Sequence, residues 1–112
     1  MIIENNEQNG YVISVIVPEE ASIRNADQFR EEMTVLLDKG HKHVLLSFER
    51  VTYIDSSFLG SMVAVLKYAL SKQADIYLVN LRSDIYDLLA LIRMNKVFKI
   101  YDTTTQAIEQ LG

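Results

Sequence analysis

The 112-residue chain contains no cysteine, so neither a disulfide framework nor a thiolate metal site is possible. Proline occurs once, at Pro18, and glycine four times, at Gly10, Gly40, Gly60 and Gly112. No internal repeat or low-complexity segment interrupts the pattern. No apolar stretch approaches the roughly 20 residues that a membrane span needs. Glu4 and Glu7 come early, with no basic region before an apolar run, so the start does not read as a signal peptide. Lys and Arg are scattered singly and the formal charge is −4, which gives no nucleic-acid footprint. These absences predict one cytoplasmic domain over residues 1–112, with no nucleic-acid partner and no membrane insertion.

What is present is the balance of a globular protein, 49% apolar and 23% charged residues. Ile2 to Glu7 and Tyr11 to Val17 predict two strands, joined at the turn signal Gln8-Asn9-Gly10. Pro18 ends the second strand. Asn25, with Gln28 three residues on, predicts a helix start, and Phe29, Met33, Leu36 and Leu37 form its apolar stripe. Gly40 closes that helix. His43 to Phe48 reads as a central strand buried on both faces, since Val44-Leu45-Leu46 does not alternate. A helix follows from about Ser57 to Gln73, with a core stripe of Leu59, Met62, Val63, Leu66, Ala69 and Leu70. Ile76 to Val79 is the next strand. Ser83 is expected to cap a helix lined by Ile85, Leu88, Leu89 and Ile92. Val97 to Tyr101 is a last strand, and Thr103-Thr104-Thr105 caps a last helix with Ala107, Ile108 and Leu111 inside. The order β-β-α-β-α-β-α-β-α predicts an α/β fold. Its mostly parallel mixed sheet has about five strands, with about four helices.

The stretch Tyr53-Ile54-Asp55-Ser56-Ser57-Phe58-Leu59-Gly60 sits where a buried strand gives way to a helix. Serines there lie beside unpaired N–H groups and the positive end of the helix dipole. The position suits a capping serine and equally a serine that carries phosphate. Phe58, Ser61, Val65 and Tyr68 fall on a second face of this helix, where an apolar stripe beside the serine predicts partner docking.

The element order, with Ile54-Asp55-Ser56-Ser57 followed by Leu59-Gly60, resembles the STAS domain (sulfate transporter and anti-sigma factor antagonist). It is most similar to the free-standing bacterial anti-sigma factor antagonists, over the whole chain in length and order. The resemblance implies a phosphorylation-controlled protein-binding switch, not an enzyme, that regulates transcription and uses no cofactor. Ser56 is the implied phosphoacceptor, with Asp55 and Ser57 supporting it. The implied partners are a serine protein kinase that doubles as an anti-sigma factor and a phosphatase that removes the mark. The unmodified form binds the kinase and the phosphorylated form releases it. Two positions depart from the family. Phe58 stands where glycine is usual, and Pro18-Glu19-Glu20-Ala21-Ser22 replaces a loop that often carries Gly-Glu and a following Asp. Both surfaces touch partners in the family, so Phe58, Ser61, Val65, Glu20 and Ser22 are the expected partner contacts.

Other chemistries fit less well. A hydrolase serine at Ser56 lacks the Gly-x-Ser-x-Gly elbow, and both histidines lie upstream. A receiver-like domain would use Asp55 as phosphoacceptor but needs an acidic pair after its first strand and a lysine after its last. Glu19-Glu20 is a poor version of the first, and no lysine follows Tyr101. A non-phosphorylated STAS subunit of a transporter or signalling complex would dock without the switch. His41 and His43 share a strand face, but no third metal ligand accompanies them. Met33, Met62 and Met94 read as core fillers, and Glu19-Glu20 and Glu31-Glu32 as solvated charges.

Overall fold

A computed structural model describes residues 1–112. Asn9 and Gly10 turn the chain back with φ of 54° and 84°. Two successive positive φ values match the twist of a tight hairpin, which is why Asn-Gly is favoured there. The hairpin pairs β1 (Ile3–Gln8) with β2 (Tyr11–Ile16), Gln8 opposite Tyr11. Beyond it the chain alternates strand and helix. The helices are α1 (Ile23–Asp38), α2 (Ser56–Ser71), α3 (Ser83–Leu91) and α4 (Thr104–Leu111). The strands are β4 (His43–Ser47), β6 (Asp75–Val79) and β7 (Lys99–Tyr101), with two-residue strands β3 (Glu20–Ala21) and β5 (Tyr53–Ile54) in the loops.

The main sheet has the order β1-β2-β4-β6-β7, and all its pairs but the first are parallel. The predicted five-stranded mixed sheet and four helices are present. Each crossover steps one strand further in the same direction. Right-handed connections therefore put α1, α2 and α3 on one face. Phe29, Met33, Met62, Leu78 and Leu89 pack between them and the sheet. The last helix, α4, is free of that constraint and covers the other face with Ala107 over Ile13, Leu45, Tyr77 and Val79. Leu45 and its neighbours Val44 and Leu46 are all fully buried, as a central strand between two layers requires.

Several details differ from expectation, each for a physical reason. The helix α1 starts two residues before Asn25. Its N-cap is Ser22, whose hydroxyl accepts from the Arg24 N–H, while the Asn25 side chain accepts from the Ser22 N–H at 2.9 Å. Gln28 instead donates to Glu32. Glu32 is not a solvated charge. Its carboxylate accepts the N–H groups of Ile2 and Ile3 at 2.9–3.0 Å and pins the start of the edge strand to α1. Partial burial pushes its pKa up, but those N–H donors and the Gln28 amide outweigh that and hold the carboxyl below its usual range. At the other end, Ser83 is the first residue of α3 rather than its cap, and Leu88 and Ile92 are exposed while Ile85 and Leu89 are buried. That helix is only nine residues long, too short to turn a wide stripe onto the sheet.

The largest correction concerns α2. Phe58 and Val65 are buried, and Ser61 with them, so they form no exposed docking stripe. Their face meets α1: the rings of Phe29 and Phe58 lie 4.5 Å apart. One turn from its end, the Tyr68 hydroxyl donates to Asp38 at the end of α1. A helix with neighbours on both flanks needs a broad apolar arc, so two stripes on one helix are two packing faces. Leu70, expected in the core, is exposed instead. Phe58→Ala should therefore cost about 3–5 kcal/mol of stability, the range for truncating a packed aromatic side chain. Urea denaturation monitored by circular dichroism measures it, and a loss below about 1 kcal/mol would contradict the packing.

Candidate functional site

Asp55 is held in place by the two short strands. Glu20 pairs with Tyr53 and Ala21 with Ile54, and the Asp55 N–H donates to the Ala21 carbonyl at 3.1 Å. The Thr52 N–H adds a bond to the Glu19 carbonyl at 2.8 Å. This splice brings the loop before α1 against the loop before α2. Asp55 then serves both helices. One carboxylate oxygen accepts the Phe58 N–H at 2.9 Å and caps α2. The other accepts the Ile23 N–H at 2.9 Å, at the first turn of α1. Two of the orphan donors that every helix start leaves open are thus satisfied by one side chain.

Ser56, by contrast, caps nothing. It is the first residue of α2, exposed, and its hydroxyl makes no hydrogen bond within the chain. The N–H groups of Ser56 and Ser57 likewise find no acceptor in the chain. A fixed positive helix end with two open donors therefore stands beside a free hydroxyl, an arrangement that favours added negative charge. Asp55 cannot serve as a phosphoacceptor without giving up one of these two bonds, since each oxygen is engaged. That geometry argues against the receiver-like use of Asp55.

Beside Asp55 lies an open depression of about 630 Å³, lined among others by Pro18, Glu19, Glu20, Ser22, Arg24 and Tyr53. Of the expected partner contacts, Glu20 and Ser22 reach this surface. Ser22 contributes its side chain to the α1 cap, so it presents shape rather than a free hydroxyl. Glu20 is exposed and unpaired, as is Glu19. Phe58, Ser61 and Val65 are not brought to the site. Two residues that sequence reading passed over are there instead: Tyr53 and Ile23, both large and exposed, at 51% and 71%. The spacing Ser22-x-x-Asn25, which marks a capping box as clearly as Asn25-x-x-Gln28, would have placed Ile23 at a helix start.

Gly60 completes the surface. It lies one turn beyond Ser56 on the same exposed side of α2, and a Cβ built on it would meet no atom within 4 Å. Nothing inside the chain requires glycine there.

Asp55→Ala should cost about 2 kcal/mol or more, because it leaves two helix starts without their charged acceptor. Ser56→Ala should change stability by less than about 0.5 kcal/mol. Urea titrations of the two variants give the comparison. Equal losses would mean that the serine shares the structural work.

The sequence matches the family described as STAS domain over residues 4–107. A Thermotoga maritima protein, provisionally named an anti-sigma factor antagonist, is 31% identical over 101 residues, 89% of each chain. A crystal structure from that organism, provisionally described in the same terms, superposes with a TM-score of 0.85 at 30% identity, over 96% of this chain and 92% of that one. The Bacillus protein SpoIIAA, an anti-sigma factor antagonist solved in unphosphorylated and phosphorylated forms, shares the fold. Its TM-scores are 0.72 and 0.71 at 16% and 15% identity, over 97% and 98% of this chain and 96% and 99% of those chains. So does a segment of the murine anion transporter Slc26a9, with a TM-score of 0.75 at 15% identity, over 92% of this chain and 18% of that one. With its sheet order, its Asp55-Ser56 helix start and these matches, the chain belongs to the STAS domain family and, within it, to the anti-sigma factor antagonists.

Proposed function

We propose that this protein is a partner-binding switch set by phosphorylation of Ser56. In the unmodified state it binds a serine kinase that doubles as an anti-sigma factor. The kinase moves the γ-phosphoryl group of ATP to the Ser56 hydroxyl. The oxygen attacks phosphorus, ADP leaves, and the hydroxyl proton passes to a base of the kinase. A phosphatase restores the serine by directing water onto the same phosphorus, releasing inorganic phosphate. The observation that carries this reading is the division of labour at the helix start: Asp55 does the capping and leaves the Ser56 hydroxyl free. Asp55 is a positioning residue here, with both oxygens occupied.

The electrostatics support release on phosphorylation. The phosphate adds about −1.5 to −2 charges. The helix end tolerates it, worth about 0.3–1 kcal/mol in its favour. The surrounding surface already holds Glu19, Glu20 and Asp55 against Arg24, so the added charge makes the face strongly acidic. A partner surface that fits the neutral hydroxyl must then desolvate a dianion, which opposes docking. The fold is shared with a transporter segment, and a STAS scaffold without phosphorylation would dock by the same face and carry no phosphate.

Peptide mapping after incubation with the cognate kinase and ATP should place the phosphate on Ser56. Phosphate only on Ser57, or on the threonines at 103–105, would overturn the proposal. Ser56→Asp should keep the circular dichroism spectrum and melting temperature while losing the partner. Loss of folding in that variant would make the serine structural.

Gly60 provides a separate check. A glycine in an exposed helix interior costs about 0.8–1 kcal/mol relative to alanine. With open space around it, the missing side chain serves close approach from outside. Gly60→Ala should therefore raise stability by about 0.5–1 kcal/mol and weaken kinase binding about tenfold. Calorimetric melting and titration read the two effects. A variant that is more stable and binds unchanged would remove Gly60 from the interface.

A further inference from the structure

The two ends of the sheet carry opposite charge. At the carboxyl ends of the parallel strands, where Ser56 lies, the segments 17–24, 48–55, 80–84 and 102–103 hold six acids against three cations. The acids are Glu19, Glu20, Glu49, Asp55, Asp84 and Asp102, and the cations are Arg24, Arg50 and Arg82. At the amino ends, the segments 7–10, 38–42, 72–75 and 93–99 hold Lys39, Lys42, Lys72, Arg93, Lys96 and Lys99 against Glu7, Asp38 and Asp75. All six of these cations are exposed.

Part of this has a structural explanation. Lys39 and Lys72 sit at the C-caps of α1 and α2, where positive charge suits the helix dipole. Lys72 is also paired with Asp38 at 3.0 Å. That explanation does not reach Arg93 and Lys96. Neither has a carboxylate within ion-pair distance. Nor does it reach the apolar side chains on either side of them. Leu91 is 80% exposed, Val97 50% and Ile92 46%, and Leu70 at the end of α2 is exposed at the same end of the molecule. Arg93, with a left-handed φ of 64°, turns the chain out of α3 into a short 3₁₀ turn, Met94–Lys96. The apolar side chains therefore flank a turn that carries two unpaired cations.

We propose that this end of the molecule lies on an anionic lipid surface. Leu91, Ile92 and Val97 enter the headgroup region, while Arg93 and Lys96 meet lipid phosphates. Exposed apolar side chains ringed by cations are the signature of interfacial adsorption, and each cation near an anionic surface adds to it. Charge selects this occupant over a second copy seated end to end by the same face, since that contact would oppose like charges. A contact between the basic end of one copy and the acidic end of the next would be heterologous, forming a ring or a filament, and would show as association without lipid. Adsorption at this end leaves Ser56 facing away from the membrane. The proposal stands independently of the phosphorylation reading.

The test is co-sedimentation of the full chain with phosphatidylcholine vesicles, with and without about 30 mol% phosphatidylglycerol. Binding is expected to the anionic vesicles, about tenfold weaker to the neutral ones, and reduced by high salt. The double variant Arg93→Glu/Lys96→Glu should lose about tenfold or more in binding. Leu91→Ser/Val97→Ser should lose a similar factor at unchanged melting temperature. Ser56→Asp should bind vesicles like the parent chain, so this result and the partner-switch result can fail separately. No binding to anionic vesicles would overturn the proposal, as would binding that ignores both double variants. Salt-sensitive, concentration-dependent association without vesicles, abolished by the charge reversal, would assign the surface to a second copy instead.

Discussion

The two oxygens of Asp55 hold the first turns of α1 and α2 to one point, and the geometry of the surface around Ser56 follows from that. Helix starts are poor in partners by nature, because their first N–H groups point out of the hydrogen-bonded ladder. Here two such starts share one acceptor, although Ile23 lies 32 residues from Asp55 in the chain. The β3–β5 ladder delivers the acceptor, and the packing of Phe29 on Phe58 fixes the angle at which the two helices meet it. Remove the carboxylate and both helices lose an anchor. Keep it, and the neighbouring serine has no structural duty.

This separation of duties is what the proposed phosphorylation of Ser56 requires. A serine that also capped its helix would lose its bond when modified, and the fold would register the mark as damage. With the cap on Asp55, a phosphate on Ser56 alters the charge of a surface whose frame stays where it was. The buried state of Phe58 belongs to the same logic. Phe58 is spent on α1, and the surface beside Ser56 is left to Glu19, Glu20, Arg24 and the exposed Ile23 and Tyr53.

The strands, the four helices and their alternation were legible because the apolar spacing changes from the strand to the helix period at each junction. That Asp55, and not Ser56, closes the helix start was only half legible. Asp and Ser are both good caps, and nothing in their order says which one closes the helix. The stripe Phe58-Ser61-Val65-Tyr68 was read as a surface for a related reason. Periodicity shows that a face is apolar but not how many neighbours the helix has. The bonds from Glu32 to Ile2 and Ile3, and from Asp55 to Ile23, span about 30 residues of chain, and no local pattern announces them. The helix start at Ser22 was misplaced by three residues because two overlapping capping patterns compete there, and the earlier one won.

The hairpin has a consequence for how the chain finds this arrangement. Asn9-Gly10 closes β1 on β2 across a two-residue loop, the only strand pairing in the sheet with no helix between its partners. Each parallel pair must instead wait for a crossover of some twenty residues or more, helix included, to be collected. Hairpins of this kind close in about 1–10 μs, well before loops of that size are sorted. The ribbon is thus ready early as an edge on which β4 can add. The open end of the ribbon is held by the Val17 N–H, which donates to the Ile2 carbonyl at 2.8 Å, and Glu32 on α1 then adds a carboxylate for the N–H groups of Ile2 and Ile3.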